Sequence, residues 1–516
     1  MQNEKLLHAI LEKAIESKCH TAGDLQKIKN EFAKKFKAYS VSNYELNRYY
    51  FKSNLPRNAA LNKTLQKREV RSISGVAIIT VLTKPYPCPG KCVYCPSEKG
   101  MPKSYLSNEP AAMRALLNDF NPYKQIEKRL ISLKNQGHPT DKIELIVLGG
   151  TFSFYPRRYQ MDFIRQCFNA LNGGKKELSL EKAQKKNEIA EHRVVGLSLE
   201  TRPDYITKNE VRWFRKLGCT KVQLGVQHLD NEILKYVKRG HFKEDSIRAI
   251  ALAKDAGLKV CLHMMPNLPG STPEKDVEMF QELFANPDFR PDYLKIYPCT
   301  VTPWSELETW FKQGKYKSYS DKTLTETLVK IKSLIPKYVR IERLVRDIPG
   351  ESILEGSRVT NLRQELLKAY PNLKCDCIRC REIKNEEIDP SKIKFNMIEF
   401  DASKGKEFFL TYNQDDKLCS MLRLRFPGSH DIIKELPKGT AIIREVHTYG
   451  QQLKISGKNS GEAQHMGLGR KLIKKVEEIS KKAGYKQLAV ISSIGTREYY
   501  KKLGYKLVGT YMEKTL

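Results

Sequence analysis

Cys88, Cys92 and Cys95 stand in the run Tyr86-Pro-Cys-Pro-Gly-Lys-Cys-Val-Tyr-Cys-Pro96, a C-x3-C-x2-C spacing just after a β-rich stretch. Three thiolates so spaced can hold three irons of a [4Fe–4S] cube, and the Pro/Gly loop lets the sulfurs converge while the fourth iron stays open to a substrate. An open iron implies chemistry. A structural zinc loop is the bland alternative, but zinc takes a fourth protein ligand and none follows within the loop. A second run, Cys375-Asp-Cys377-Ile-Arg-Cys380, lies outside any strand pattern. Clustered thiolates of this kind hold metal, with zinc the first choice and a second iron–sulfur cluster the runner-up. Cys299 or a histidine elsewhere is a candidate fourth ligand there. The other cysteines of the twelve are scattered without a disulfide framework, as in a reducing compartment.

Two glycine motifs add binding sites. Gly149-Gly150-Thr151 closes an apolar run, where consecutive glycines let the chain turn and expose backbone groups to a ligand. Gln464-His-Met-Gly467-Leu468-Gly469-Arg470 precedes a long amphipathic helical pattern and offers free backbone N–H groups at a helix N-terminus, a seat for pyrophosphate. Glu200 and Arg202, in Leu199-Glu-Thr-Arg-Pro-Asp204, are either ligand contacts or a rim ion pair.

These residues need elements to hold them. Residues 72 to 350 alternate helical patterns with short apolar runs: Val76 to Leu82, Ile143 to Leu148, Val194 to Leu199, Val222 to Val226, Val260 to Met265, Tyr293 to Tyr297 and Val339 to Leu344. The alternation predicts an α/β fold, a parallel sheet closed into a partial (β/α) barrel with its active site at the strand C-terminal ends. The cysteine loop, the double glycine, Glu200 and Gln227 all fall on that rim. Strands Glu407 to Tyr412, Leu418 to Leu424, Thr440 to Val446 and Gln487 to Ile491, with a helix to about Lys482 and one holding Tyr499-Tyr500, predict a second, mixed α/β domain. The expected divisions are a basic helical segment at 1–70, the barrel at 71–350, a cysteine-bearing linker at 351–395 and the mixed domain at 396–516.

Across 516 residues, 91 Lys+Arg against 59 Asp+Glu give a net charge of +32, the footprint of a protein that binds a polyanion. Nucleic acid is the leading partner. No apolar run approaches the roughly 20 residues that span a bilayer, and Met1-Gln-Asn-Glu-Lys does not read as a signal peptide, so no membrane and a cytoplasmic site are expected. Residues 1–70 alone carry 14 Lys+Arg and 7 Asp+Glu, interleaved with Tyr39, Tyr44, Tyr49, Tyr50 and Phe51. Such a segment either holds phosphates and stacks on unpaired bases or is a solvated face over a local core.

The first cysteine spacing resembles that of radical S-adenosylmethionine (SAM) enzymes, in which SAM closes the open iron and one electron yields a 5′-deoxyadenosyl radical. In that resemblance Gly149, Gly150 and Thr151 match the motif at the SAM amino group, and Glu200 and Arg202 face its ribose or carboxylate. The Gln464–Arg470 loop resembles the pyrophosphate loop of GNAT acetyltransferases. That implies coenzyme A, with Tyr499 or Tyr500 donating a proton to the leaving thiolate. Both halves together are similar to the catalytic subunits of Elongator in their prokaryotic form, through Cys92-Val-Tyr-Cys-Pro96, Asn108-Glu-Pro110, Leu199-Glu-Thr-Arg-Pro-Asp204, Leu224-Gly-Val-Gln227, Arg239-Gly-His241, His263-Met-Met-Pro266, Leu294-Lys-Ile-Tyr-Pro298, Arg444-Glu-Val-His447 and Tyr499-Tyr-Lys-Lys-Leu-Gly-Tyr505.

The resemblance implies an enzyme that builds 5-carboxymethyluridine at the wobble position of tRNA from acetyl-CoA. Lys295 and His263 become candidate substrate contacts, and His447, Tyr499 and Tyr500 candidates at the acetyl-CoA site. The anticodon loop of tRNA becomes the expected partner, with Lys34, Lys35 and Lys37 as its candidate contacts. An electron donor is required, and a homodimer is an assembly the reading allows. Two departures stand out: eukaryotic members separate the first two cluster cysteines further, and Cys299-Thr-Val-Thr-Pro replaces the family's Thr-Leu-Val. The alternatives are a protein lysine N-acetyltransferase with a structural barrel and an RNA-binding protein whose sites are relics.

Overall fold

The computed structural model describes residues 2–516 apart from 20, 40, 57, 66–74, 175–176, 385, 387 and 451–466. Each of the seven apolar runs forms a strand: β1 Ala77–Leu82, β2 Lys142–Leu148, β3 Arg193–Thr201, β4 Lys221–Gln227, β5 Lys259–Met264, β6 Tyr293–Ile296 and β7 Arg340–Arg343. All pairings are parallel and the order is sequential from β1 to β7. The two end strands do not pair with each other, so the barrel is open along one seam. β-Branched and aliphatic side chains such as Ile79, Val147, Val222 and Leu262 fill the layer under the helices.

The inner face of the barrel is polar. Lys221 on β4 reaches Glu144 on β2 at 2.5 Å and Glu342 on β7 at 2.8 Å, bracing three strands across the lumen. Buried charge is retained only where it is paired.

A second sheet runs in the order β13-β14-β12-β11-β10-β9-β8, with β8 Ile393–Ala402, β9 Gly405–Gln414, β10 Lys417–Phe426, β11 Thr440–Thr448, β12 Gln487–Val490, β13 Lys506–Val508 and β14 Tyr511–Thr515. Only β11 and β12 are parallel. Helix Leu468–Lys482 crosses this sheet and buries Leu472, Ile473 and Val476 against it. The stretch between the sheets is folded onto the barrel. Leu366, Ile378 and Ile383 share the barrel's core, and the Ile378 amide donates to the Val339 carbonyl at 2.9 Å.

The second sheet docks on the N-terminal ends of the barrel strands. Arg444 donates to the Leu258 carbonyl at 2.6 Å and Ser493 to the Val194 carbonyl at 2.7 Å. Between the two sheets, fully buried Arg423, Arg425 and Arg444 meet Asp255, Asp292, Glu407 and Glu445. The cysteine loop lies at the opposite end of the barrel, after the C-terminus of β1.

Four helices, Gln2–Glu16, Ala22–Lys35, Asn43–Lys52 and Ala59–Leu65, bury Leu6, Ile10, Leu25, Leu46, Tyr50 and Leu61 in a core of their own. Ser42 and Glu45 form a reciprocal capping box at the start of the third. That helix packs on helix Pro122–Asn135, where Asn135 donates to the Tyr44 hydroxyl at 3.1 Å. Tyr50 belongs to that core, whereas Tyr39 is 97% exposed.

Candidate active site

Strand β1 delivers the chain into the cysteine loop. Cys92 is buried, and Cys88 and Cys95 are half-buried. Arg239 Nη1 donates to Cys92 Sγ at 3.5 Å and its Nη2 to the Gly225 carbonyl at 2.5 Å, tying the loop to β4. A hydrogen bond from Cys95 and the Arg239 charge hold the Cys92 thiol well below its ordinary range. A thiolate is the form that ligates metal.

Gly149 and Gly150 have φ of 137° and 85°, and a Cβ on Gly149 would lie 1.8 Å from Thr83 Oγ1. Only glycine turns β2 out at this point. The turn brings Thr151 Oγ1 to 3.9 Å from Cys88 Sγ.

Arg202 donates to Asp204 through Nε and Nη2, each at 2.9 Å, and to the Gly240 carbonyl at 3.0 Å. Its Nη1 is buried without a partner among the described residues. A Cβ on Gly90 would fall 2.5 Å from that nitrogen, so the glycine is what lets Arg202 reach beneath the loop. The rim ion pair and the ligand contact are therefore compatible: two nitrogens are used and one is left facing the cysteines. Glu200 accepts from the Tyr105 hydroxyl at 2.7 Å and lies 3.7 Å from His263 Nδ1. Three converging cysteines, a glycine-made cradle and an unpartnered guanidinium nitrogen fit an iron–sulfur cluster and an anionic ligand such as the SAM carboxylate.

Gln223 organises the middle of the barrel. Its Oε1 accepts from Lys295 Nζ and lies 3.1 Å from His263 Nε2, and its Nε2 donates to Ser198 Oγ at 2.7 Å. Burial acts to lower Lys295, but Tyr297 and Glu342 outweigh it and keep the ammonium charged. Burial and the Lys295 charge hold His263 well below its usual range, so the imidazole is neutral.

In the second domain Gly467, at φ 66°, caps helix Leu468–Lys482 with Leu468 buried behind it. Gln464 lies outside the described residues. A Cβ on Gly469 would sit 3.7 Å from the Tyr499 hydroxyl and 3.6 Å from Thr448 Oγ1. Gly469 thus faces Tyr499 and Thr448 across the space at the helix N-terminus, where a Cβ would make ordinary contact. Burial raises the Tyr499 phenol against the opposing pull of Arg470, which keeps it protonated and able to donate. Tyr500 instead packs in the domain core, edge-on to Tyr499 at 5.2 Å between centroids. His447 is drawn down to about 4 by burial, and its Nε2 has no partner among the described residues.

One cavity of about 2780 Å³ joins these parts. Tyr94, Cys95 and Glu200 line it at the cysteine end, Lys221, Lys295 and Glu342 in the lumen, and Glu445, His447, Gly469 and Tyr499 at the far end.

Cys375, Cys377 and Cys380 have sulfurs all within 4.8 Å of one another, and among the described residues this is the set that forms such a group. Bonds of about 2.3 Å to one tetrahedral zinc put sulfurs about 3.8 Å apart, so the triad suits a single ion. Arg363 donates to Cys380 Sγ at 3.2 Å and Lys332 at 3.8 Å, offsetting thiolate charge. Cys299 is not a fourth ligand: it belongs to the buried cluster that holds Cys92, Val93 and Tyr94 at the first cysteine loop, because the turn after β6 carries it to that rim. Metal analysis of aerobically purified protein is expected to give about one zinc per chain, lost in the triple Cys→Ser variant. Unchanged zinc in that variant would refute the site.

Lys34, Lys35 and Lys37 are exposed at the end of helix Ala22–Lys35, next to exposed Tyr39. They lie apart from the cavity, which they do not line. Arg239, Gln223 and Tyr105 are positioning residues that sequence reasoning left without a role. The only signal was the Arg239-Gly-His241 motif, whose partner lies 147 residues away.

The radical SAM superfamily model matches residues 86–283, the radical SAM C-terminal domain 291–370 and the acetyltransferase (GNAT) domain 460–515. The chain is similar to a tRNA uridine(34) acetyltransferase of Methanocaldococcus jannaschii, 46% identical over 471 residues that cover 88% of this chain and 86% of that protein. It is 38% identical to Elongator complex protein 3 of Danio rerio over 89% of this chain and 87% of that one. The solved structure of the archaeal Methanocaldococcus infernus Elp3 with an N-terminal deletion superposes with a TM-score of 0.76 at 43% identity, covering 86% of this chain and 100% of that one.

Proposed function

The chain belongs to the family of tRNA uridine(34) acetyltransferases and Elongator complex protein 3, and from that premise we propose that it forms 5-carboxymethyluridine at the wobble position of tRNA. One observation carries this reading: the cysteine loop and the GNAT glycine loop sit at opposite ends of one barrel and open into the same cavity. A protein lysine acetyltransferase has no use for that connection.

Cys88, Cys92 and Cys95 would hold the cluster, and Gly149 to Thr151, Glu200 and Arg202 the SAM, which together supply a radical able to take hydrogen from an acetyl methyl. Gly467 and Gly469 at the helix N-terminus would seat the pyrophosphate of acetyl-CoA. Tyr499 would protonate the coenzyme A thiolate that leaves when water cleaves the thioester to the acid, and Nε2 of neutral His447 would orient the thioester or that water. In the lumen the Lys295 ammonium, fixed by Gln223, would hold the acetyl oxygen or a uracil carbonyl. The buried walls exclude water from the carbon radical until it adds to C5 of the base.

The test is direct. Protein reconstituted without oxygen is given SAM, tRNA and acetyl-CoA labelled in the methyl carbon, and tRNA nucleosides are read by mass spectrometry. Label in 5-carboxymethyluridine supports the reading, and label only on protein lysines overturns it.

The N-terminal helices would grip the anticodon arm, and the wobble base would leave its stack at a cost of a few kcal/mol. Replacing Lys34, Lys35 and Lys37 together by glutamate should weaken tRNA binding by about 10- to 100-fold and flatten its salt dependence, since each lost phosphate contact removes a released counterion. Filter binding over a salt series checks this, and coenzyme A affinity should not move.

A further inference from the structure

The outer side of the cysteine loop has no part in the cavity: Cys95 lines it, and Cys88 does not. Around Cys88 the chain reads Lys84-Pro-Tyr-Pro-Cys-Pro-Gly-Lys91, with Pro85, Pro87 and Pro89 all exposed. A proline at every second position fixes the backbone, so little conformational entropy is lost when a partner covers the loop.

Aromatic rings continue from it. Half-buried Tyr86 stacks on buried Tyr155 at 4.8 Å and Tyr155 on half-buried Tyr159 at 5.0 Å, while exposed Phe154 lies 6.0 Å from Tyr86. Tyr155 donates to the Lys84 carbonyl at 2.7 Å, and the Lys84 amide donates to the Tyr159 hydroxyl at 3.0 Å, locking the two segments into one surface. Neither 84–91 nor 152–158 contains an acidic residue, and Lys84, Lys91 and Arg158 are exposed. The nearby acids Asp162 and Asp204 are each paired with an arginine, so Tyr86 and Phe154 face outward beside cations unpaired among the described residues, a surface suited to an acidic protein.

We propose that this face docks the protein that reduces the metal site, an acidic one-electron carrier that approaches Cys88 from outside while substrates occupy the cavity side at Cys95. The inference rests on the reading of Cys88, Cys92 and Cys95 as ligands of a reducible cluster. In the step, the carrier's flavin, as anionic hydroquinone, loses one electron to become its neutral radical, and the cluster gains that electron with no proton transferred. Small reductants need no docking surface. The opposite side offers no such route, because tRNA and acetyl-CoA would fill it.

The probe is a strongly acidic flavodoxin, and the variant is Lys84→Glu, Lys91→Glu and Arg158→Glu combined. Two quantities are read: flavodoxin affinity by fluorescence titration of protein with and without reconstituted cluster, and the rate of cluster bleaching by reduced flavodoxin or by dithionite. Affinity and flavodoxin-driven rate should each fall at least tenfold at low salt, with the dithionite rate unchanged. In the wild type both should decline steeply with salt, and in the variant hardly at all. An unchanged flavodoxin affinity and rate in the variant would overturn the docking surface. So would a loss of tRNA affinity with flavodoxin unaffected, which would assign the patch to RNA. A wild-type protein that takes up no iron, or whose cluster dithionite cannot reduce, would overturn the cluster reading itself and the proposal with it.

Discussion

Cys92→Ala is expected to eliminate the visible charge-transfer absorption of the reconstituted protein and to bring SAM cleavage to background. Cys92 is the buried member of the triad and the one already drawn toward thiolate by Cys95 and Arg239, so its removal takes away one of the three expected ligands. Truncation also leaves Arg239 Nη1 without its sulfur, a cost of about 1–3 kcal/mol for a buried donor, while Nη2 still holds the Gly225 carbonyl. The fold should therefore survive, and coenzyme A binding at the other end of the barrel should be unaltered. Cys92→Ser, which keeps the volume, should lose the cluster equally. Full SAM cleavage in either variant would remove Cys92 from the site.

The legible part of this protein was the part with a local pattern. Seven apolar runs separated by helical spacings became seven parallel strands because each buries an apolar face under the helices, and β4, β5 and β6 are buried along almost their whole length while β2 alternates buried and half-buried residues. Strand β8 left no such signal. It is an edge strand whose Lys394 to Met397 are exposed, and it starts at Ile393 inside the stretch expected as linker. β13 is three exposed residues at the opposite edge. The cysteines and glycines of the site could be named because metal ligation and positive φ restrict residue type and spacing within a few positions. Arg239, Gln223 and the lumen set of Lys221, Glu144 and Glu342 act across 40 to 147 residues of sequence, and an isolated arginine or glutamine carries no mark of its partner. The same holds for Cys299, whose neighbours were set by the turn after β6 and not by its distance along the chain from Cys375.

The largest effect on stability is expected at Arg444, which couples the two halves. Its guanidinium is fully buried, 2.5 Å from Asp292 and 2.8 Å from Glu407, and it also donates to the Leu258 carbonyl. Arg444→Met keeps much of the volume but strands two buried carboxylates, a change that costs about 3–5 kcal/mol when one partner of a buried pair is lost. Lys254, Arg423 and Arg425 remain nearby and compensate only in part. The sign of the pH effect follows from the carboxylates. Burial would raise Asp292 and Glu407, but Arg444 first and then the other cations outweigh it, so both are held below their ordinary values in the folded chain. Their contribution is present above the ordinary carboxylate range and is lost as pH falls through the depressed values. Without Arg444 the burial term gains weight, the folded-state values rise, and acid unfolding should begin about one pH unit or more higher than in the wild type. Denaturant melts between pH 4 and 8, read with probes in each domain, should show lower stability at every pH and the steeper loss on the acid side. In the proposed reaction the acetyl group crosses the interface that Arg444 pins, so the variant should also uncouple the two ends: SAM cleavage and coenzyme A binding retained separately, with labelled carboxymethyluridine reduced far more than either. Equal stability and equal product in Arg444→Met would mean that the apolar contacts between the sheets hold the halves in register without the buried charges.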